Sequence, residues 1–174
     1  VTRYLARLLR PSLGAGSERV IHDQALVALV RAGCRAKADV VALSGQAIGA
    51  LPDEAPEEVA EYLLRGPLGV ESKGVLSAKT LLALLGADCR SKADVTALNA
   101  QAITTLPAPA PEEVAEYLLR GPMGAESRGV LSSKTLAALL GAGCRTKANV
   151  AALSPTEVAA LKVVMLQSAS SASK

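Results

Sequence analysis

The 174-residue chain contains no phenylalanine and no tryptophan, and its aromatic content is three tyrosines, Tyr4, Tyr62 and Tyr117. Aromatic rings bring the largest single parcels of buried apolar area. A core without them must be assembled from Leu, Val, Ile and Ala, residues that suit helices lying close together. Histidine is nearly as scarce, with His22 standing alone. Imidazole is the usual general base near neutral pH, and no spacing in the chain supplies His22 with both a nucleophile and an orienting carboxylate. The three cysteines form no CxxC pair and have no second histidine to join, so no zinc site is expected. Taken together, these absences point to a chain that is not an enzyme, with no catalytic residue, no metal and no cofactor.

Long apolar runs are missing too. The longest uncharged stretch, about residues 95–111, contains Asn, Gln, Thr and Pro, whereas a bilayer-spanning helix needs about 18 or more apolar residues. No membrane span is therefore expected. Yet 50% of the residues are apolar, enough at this length for a sizeable core. The net charge of +3 is unevenly placed. Residues 1–34 carry five basic and two acidic groups, 35–89 five and eight, 90–144 five and five, and 145–174 four and one.

What the chain has in quantity is repetition. APEEVAEYLLRGP stands unchanged at residues 55–67 and 110–122. Cys34, Cys89 and Cys144 are 55 residues apart, as are Arg10, Arg65 and Arg120, and residues 35–89 laid over 90–144 give 41 identities in 55 positions. The organisation read from this is a partial repeat at 1–34, full repeats at 35–89 and 90–144, a partial repeat at 145–164, and a flexible Ser/Ala tail at 165–174. About three repeat equivalents is the usual minimum for a stable stacked array.

Start and stop signals place four short helices in each unit. The first opens at Ser91 with Asp94 three residues on, turning Val95 and Leu98 to one face. The second opens at Asn99, turns Ile103 and Leu106 inward and stops at Pro107. Its counterpart at Ser154-Pro155-Thr156-Glu157 is a capping box with proline at the first helical position. The third is the duplicated motif, with Pro56 at its start, Glu57 and Glu58 facing the positive end of the helix dipole, and Val59, Tyr62 and Leu63 as its apolar stripe. Arg65 lies near the negative end and Gly66-Pro67 terminates it. The fourth starts near Ser77 or Ser132 and ends at Gly86 or Gly141. Helices this short are unstable alone. The prediction is an all-α protein of about twelve short helices stacked as an α-solenoid or compact superhelical bundle.

Neighbouring repeats in such an array sit about 10 Å apart, beyond the roughly 7 Å Cα limit of a disulfide. The cysteines therefore read as small buried hydrophobes at helix ends, and unpaired thiols point to a reducing intracellular compartment. Val1 rather than Met opens the sequence, which leaves an organellar destination after removal of a leader among the expectations. His22 aligns with Ser77 and Ser132 and reads as a helix start. Glu57, Glu58 and Glu61, with their copies Glu112, Glu113 and Glu116, read as a solvated, dipole-matched face rather than as paired catalytic carboxylates.

A basic turn follows each cysteine: Arg35 and Lys37, Arg90 and Lys92, Arg145 and Lys147. Stacked repeats would align these six into a ladder able to track a phosphate backbone or an acidic protein surface. The acidic stripe is a competing partner for them. Around one such turn, LAALLGAGCRTKANVAAL at 136–153 resembles a helix-hairpin-helix DNA-binding motif, with Gly141-Ala142-Gly143 in its hairpin. Four residues separate that turn from Ala148 where the family has three, and the equivalent positions elsewhere are Gly86-Ala87-Asp88 and Arg31-Ala32-Gly33. The resemblance implies backbone amide contacts to phosphate. The LSPTEVAAL-type helix starts are similar to the superhelical repeats of the mesothelin and stereocilin group.

The function expected from the residues is a helical-repeat scaffold or structural subunit that contacts other protein subunits through an extended surface. A nucleic-acid-binding array using the six basic residues stands second.

Overall fold

The computed structural model describes residues 1–162, and every regular element among them is helical. The stretch 165–174, expected as a flexible tail, lies outside the described residues, as do 163 and 164. Two compact units divide the chain, Val1–Ala97 and the part from Leu98 onward.

The first unit holds α1 (Thr2–Leu13), α2 (Asp23–Arg31), α3 (Lys37–Val41), α4 (Gly45–Gly49), α5 (Ala55–Leu64), α6 (Ala78–Gly86) and α7 (Lys92–Ala97). In the second lie α8 (Ala100–Thr104), α9 (Ala110–Leu119), α10 (Ser133–Gly141), α11 (Lys147–Ala151) and a helical stretch at 155–162. Short 3-10 turns at Ala15–Ser17, Val70–Ser72 and Ala125–Ser127 shape the loops after α1, α5 and α9.

The start signals act as their chemistry demands. Ser91 Oγ accepts the Asp94 amide at 3.2 Å while Asp94 Oδ2 accepts the Ser91 amide at 3.0 Å. Asn99 Oδ1 accepts from Ala102 N at 2.7 Å to start α8. Ser154 and Glu157 exchange the same reciprocal pair, at 3.2 and 2.7 Å. Each bond satisfies a first-turn donor that has no partner within the helix.

α1 pairs with α2, α5 with α6, and α9 with α10. Leu9, Leu26 and Leu29 are buried in the first pair, Leu64, Leu81 and Leu84 in the second, and Val114, Leu119 and Leu136 in the third. The duplicated helix departs from the single stripe expected of it. In α5 the buried positions are Ala55, Pro56, Val59, Ala60 and Leu64, whereas Tyr62 and Leu63 are only half-buried. α5 touches α2, α4 and α6, so apolar groups are needed on more than one side. Ala60 and Ala115 are fully buried, and their small volume permits the close approach that an aromatic-free core requires.

The ends of α2, α6 and α10, at Leu29–Cys34, Leu84–Cys89 and Leu139–Cys144, share one geometry. Cys34 N donates to Leu29 O, Cys89 N to Leu84 O and Cys144 N to Leu139 O, at 3.0, 2.9 and 2.9 Å. Gly33 N donates to Val30 O, Asp88 N to Leu85 O and Gly143 N to Leu140 O. This is the Schellman termination, whose penultimate residue takes a left-handed conformation and whose last turns inward. Gly33 and Gly143 have φ of 96° and 81°, and Asp88 adopts 60° without glycine's freedom. The cysteines are the inward residues, unpaired and 1–3% exposed.

At Gly45 the fold demands glycine for space. A Cβ there would lie 2.3 Å from Leu85 O and 2.9 Å from Gly86 Cα, at the end of α6. Gly49 in the same helix would meet nothing within 4 Å and has ordinary φ. Gly45→Ala is expected to destabilise the protein by about 1–3 kcal/mol through overpacking, and Gly49→Ala to stabilise it by about 0.4–1 kcal/mol through the unfolded chain. Urea unfolding of the two variants checks the opposite signs.

Candidate functional site

The six basic-turn residues divide by side-chain type. Arg35 Nη1 donates to Val30 O at 2.8 Å and to Cys34 O at 2.9 Å, at the C-terminal end of α2. Arg90 Nη2 reaches back 47 residues to Leu43 O, just beyond α3. Arg145 Nη2 does the same to Leu98 O, just beyond the last residue of α7. Carbonyls at helix ends lack intrahelical donors, and a cation there also meets the negative end of the dipole.

The lysines face carboxylates from the preceding loop. Lys92 Nζ lies 2.6 Å from Glu71 Oε1, and Lys147 Nζ pairs with Glu126 Oε1. Both carboxylates, Glu71 and Glu126, come from the loops after α5 and α9. All four groups are more than half exposed, so these pairs contribute little stability. Lys37 has no such pair because Gly16 stands where Glu71 and Glu126 stand later; its backbone amide donates to Ser12 Oγ at 2.9 Å. The Lys92 contact holds the Glu71 carboxyl below its ordinary range, chiefly through the side-chain hydrogen bond.

The acidic face is less solvated than its spacing implies. Glu58 is 15% exposed, with Oε2 accepting His22 N at 2.8 Å and Oε1 lying 2.7 Å from His22 Nδ1. His22 is the residue before the first turn of α2, the helix-start role expected of it. Glu116 Oε2 accepts from Ser133 Oγ at 2.6 Å, and its Oε1 pairs with Arg120. Among the described residues no group of three His, Cys, Asp or Glu is placed to hold a metal. Burial pushes the thiols of Cys34, Cys89 and Cys144 up, away from the thiolate.

In the sequence, Arg10, Arg65 and Arg120 mark the 55-residue period, and Arg65 suggests no more than a charge near the negative end of its helix. Each guanidinium instead bridges its helix to the loop that follows. Arg65 Nη1 donates to Ser72 O and Leu76 O, both at 3.1 Å, and Nη2 to Glu61 Oε1 at 3.0 Å. Arg120 binds Ser127 O and Leu131 O, also at 3.1 Å. Arg10 reaches Ile21 O at 2.8 Å and Ser17 O at 3.5 Å. The buried serine of each loop donates to a glycine carbonyl three residues earlier, Gly14, Gly69 or Gly124, at 2.7 Å. The legible signal was the common spacing of Arg, then Gly four residues on, then Ser seven on.

In the turn that resembles a helix-hairpin-helix, the backbone amides are already used. Ala142 N donates to Ala138 O and Leu139 O, Gly143 N to Leu140 O, and Cys144 N to Leu139 O. A phosphate contact through these donors has to displace helix-end bonds.

Open grooves run along α2 and along α10, helices 110 residues apart in register, with otherwise different walls. The first, about 680 Å³, has Arg3, Arg7 and Arg31 on its rim and Ala6, Val27 and Ala28 on its floor. The second, about 590 Å³, is lined mainly by Ala108, Pro109, Ala137, Ala138, Ala160 and Leu161. No known family model, curated protein or solved structure matches the chain.

The loop bridge has a direct test. Arg65→Lys keeps the charge and loses the planar fork that serves three acceptors. It is expected to lower stability by about 1–3 kcal/mol, against a change within about 0.5 kcal/mol for Arg128→Lys on the surface. Chemical denaturation of both variants reads the difference.

Acid sensitivity follows from the basic turns. Asp39 Oδ2 accepts from Arg35 N and Ala36 N at 2.7 and 2.9 Å, and these bonds hold its carboxyl below the ordinary 3.8. Asp94 is lowered likewise, first by the Arg90 amide and then by Ser91. A depressed carboxyl contributes stability above its unfolded pKa and loses it as pH falls through the folded value. Thermal midpoints are expected to be flat above about pH 5 and to fall below about pH 4, in the carboxylate range. Asn149 makes the same two bonds, to Arg145 N and Thr146 N at 3.0 and 3.1 Å, without titrating. The double variant Asp39→Asn, Asp94→Asn should therefore melt like the parent at neutral pH and show a shallower acid decline in circular dichroism.

Proposed function

We propose that the chain is a non-catalytic scaffold, a tandem array of 55-residue helical units stacked as an α-solenoid, that joins other protein subunits through its surface. The observation that carries this reading is the internal use of its recurring polar groups. Arg10, Arg65 and Arg120 bind loop carbonyls, and Arg35, Arg90 and Arg145 bind helix-end carbonyls. Residues copied from unit to unit thus have a shared structural task, the pattern of a repeat whose surface, rather than a single constellation, is its product. Exposed Tyr4, Leu8, Val70 and Val130 and the alanine-lined groove beside α10 add apolar surface for a partner.

The nucleic-acid reading has Lys37 and the groove-rim Arg3, Arg7 and Arg31 in its favour, since each is a cation without an ion pair among the described residues. It has the engaged guanidiniums of Arg90 and Arg145 and the satisfied turn amides against it.

Native mass spectrometry of the chain recovered from its own source is expected to find it with another polypeptide. Titration of DNA and RNA binding against salt is expected to show no steep dependence. A salt-sensitive affinity that Arg90→Ala, Lys92→Ala, Arg145→Ala and Lys147→Ala together abolish would move the assignment to nucleic acid.

A further inference from the structure

The intrachain contact of α5 with α2 and α4 is a template for a contact between molecules. All three helices belong to the first unit, and α5 touches both of the others. Ile21 and Ala25 on the α2 side, Ile48 on α4, and Val59 and Ala60 on α5 are at most 2% exposed. Polar ties accompany them: Tyr62 Oη donates to Leu13 O at 2.7 Å, and Glu58 caps His22.

Both halves of this contact recur with their faces uncovered. α1 stands 55 residues before α5 in register, so Tyr4 takes the place of Val59, Leu5 of Ala60 and Leu8 of Leu63. Tyr4 is 64% exposed and Leu8 54%, while Ala6, Leu9 and Leu13 on the opposite side of α1 are buried. The second half is α10 with the stretch 155–162, which stand 110 residues after α2 and α4. Here Leu131 replaces Ile21 and is half-buried, and Val158 replaces the wholly buried Ile48 and is 41% exposed. Val130 beside them is 78% exposed.

We infer that this chain binds a second copy of itself head to tail, the α1 face of one molecule packing on the α10 and 155–162 face of the next. The contact extends a mode of packing already present within the molecule. Arg7 stands in the register of Tyr62, so its guanidinium reaches the carbonyl of Met123 as Tyr62 reaches that of Leu13. One intrachain tie is not reproduced, because Arg3 replaces Glu58 and Ser132 replaces His22. The association is accordingly weaker than its template and depends on concentration. Because the two faces differ, the contact is heterologous and propagates into a ring or an open chain.

This inference rests on the scaffold reading and names its partner. Sedimentation velocity of the purified chain should show mass rising with concentration through multiples of the monomer. Tyr4→Glu with Leu8→Glu blocks one face, and Val130→Glu with Val158→Glu blocks the other. All four positions are exposed, and helical circular dichroism verifies that both variants fold. Each variant alone should self-associate about a hundredfold more weakly or worse, whereas an equimolar mixture should form a dimer that grows no further, since one intact face remains on each. A parent chain that stays monomeric, variants that still self-associate, or a mixture that remains monomeric overturns the proposal. A parent that is monomeric while the chain lacking 163–174 assembles also overturns it, and assigns the α10 face to the chain's own segment. A monomeric parent recovered from its source with a different polypeptide overturns self-association and leaves the scaffold reading standing.

Discussion

Guanidinium groups bound to backbone carbonyls are the interaction on which the rest of this structure depends. Its helices are 5–12 residues long, below the length at which a helix persists alone in water. Packing must hold them, and packing requires each loop to deliver the next helix at one angle. Arg10, Arg65 and Arg120 bridge helix to loop where α1 turns toward α2, α5 toward α6 and α9 toward α10. Arg90 and Arg145 tie the next turn to the end of a helix 47 residues earlier. One planar cation with several donors can serve two or three acceptors at once, which suits loops whose carbonyls have no strand or helix to join.

The same economy explains the composition. Without Phe or Trp the core relies on Leu, Val and Ile packed against fully buried Ala60 and Ala115. Small residues bring helices close, and in the first unit that closeness reaches its limit where Gly45 meets the end of α6. Position 100, in the register of Gly45, is alanine, so the two copies of this helix do not share the same spacing requirement. Near-identical sequence therefore still leaves room for local adjustment.

On the scaffold reading proposed above, function lies in faces rather than in a constellation. Groups that look reactive in one dimension are engaged in three: the cysteines close helix ends, His22 begins one, and Glu58 caps it. The exposed apolar residues Tyr4, Leu8, Val130 and Val158 have register equivalents in the first unit that lie in a helix-to-helix contact or beside one.

Much of the local structure was legible in the sequence because its causes are local. Ser91 with Asp94, Asn99, and Ser154 with Glu157 start helices through bonds spanning three residues, and the 55-residue period marks where such signals recur. The cysteines read as small buried hydrophobes at helix ends, and all three are buried there, each after a residue of positive φ. Partner choice was decided only in the tertiary structure. Nothing in the spacing of Arg90 indicates that its guanidinium would find Leu43 O, or that Lys92 would face Glu71. The buried side of α5 likewise shifted from Tyr62 and Leu63 to Ala60 and Leu64. Helical periodicity says which residues share a face, but only the neighbouring helices determine which face is enclosed.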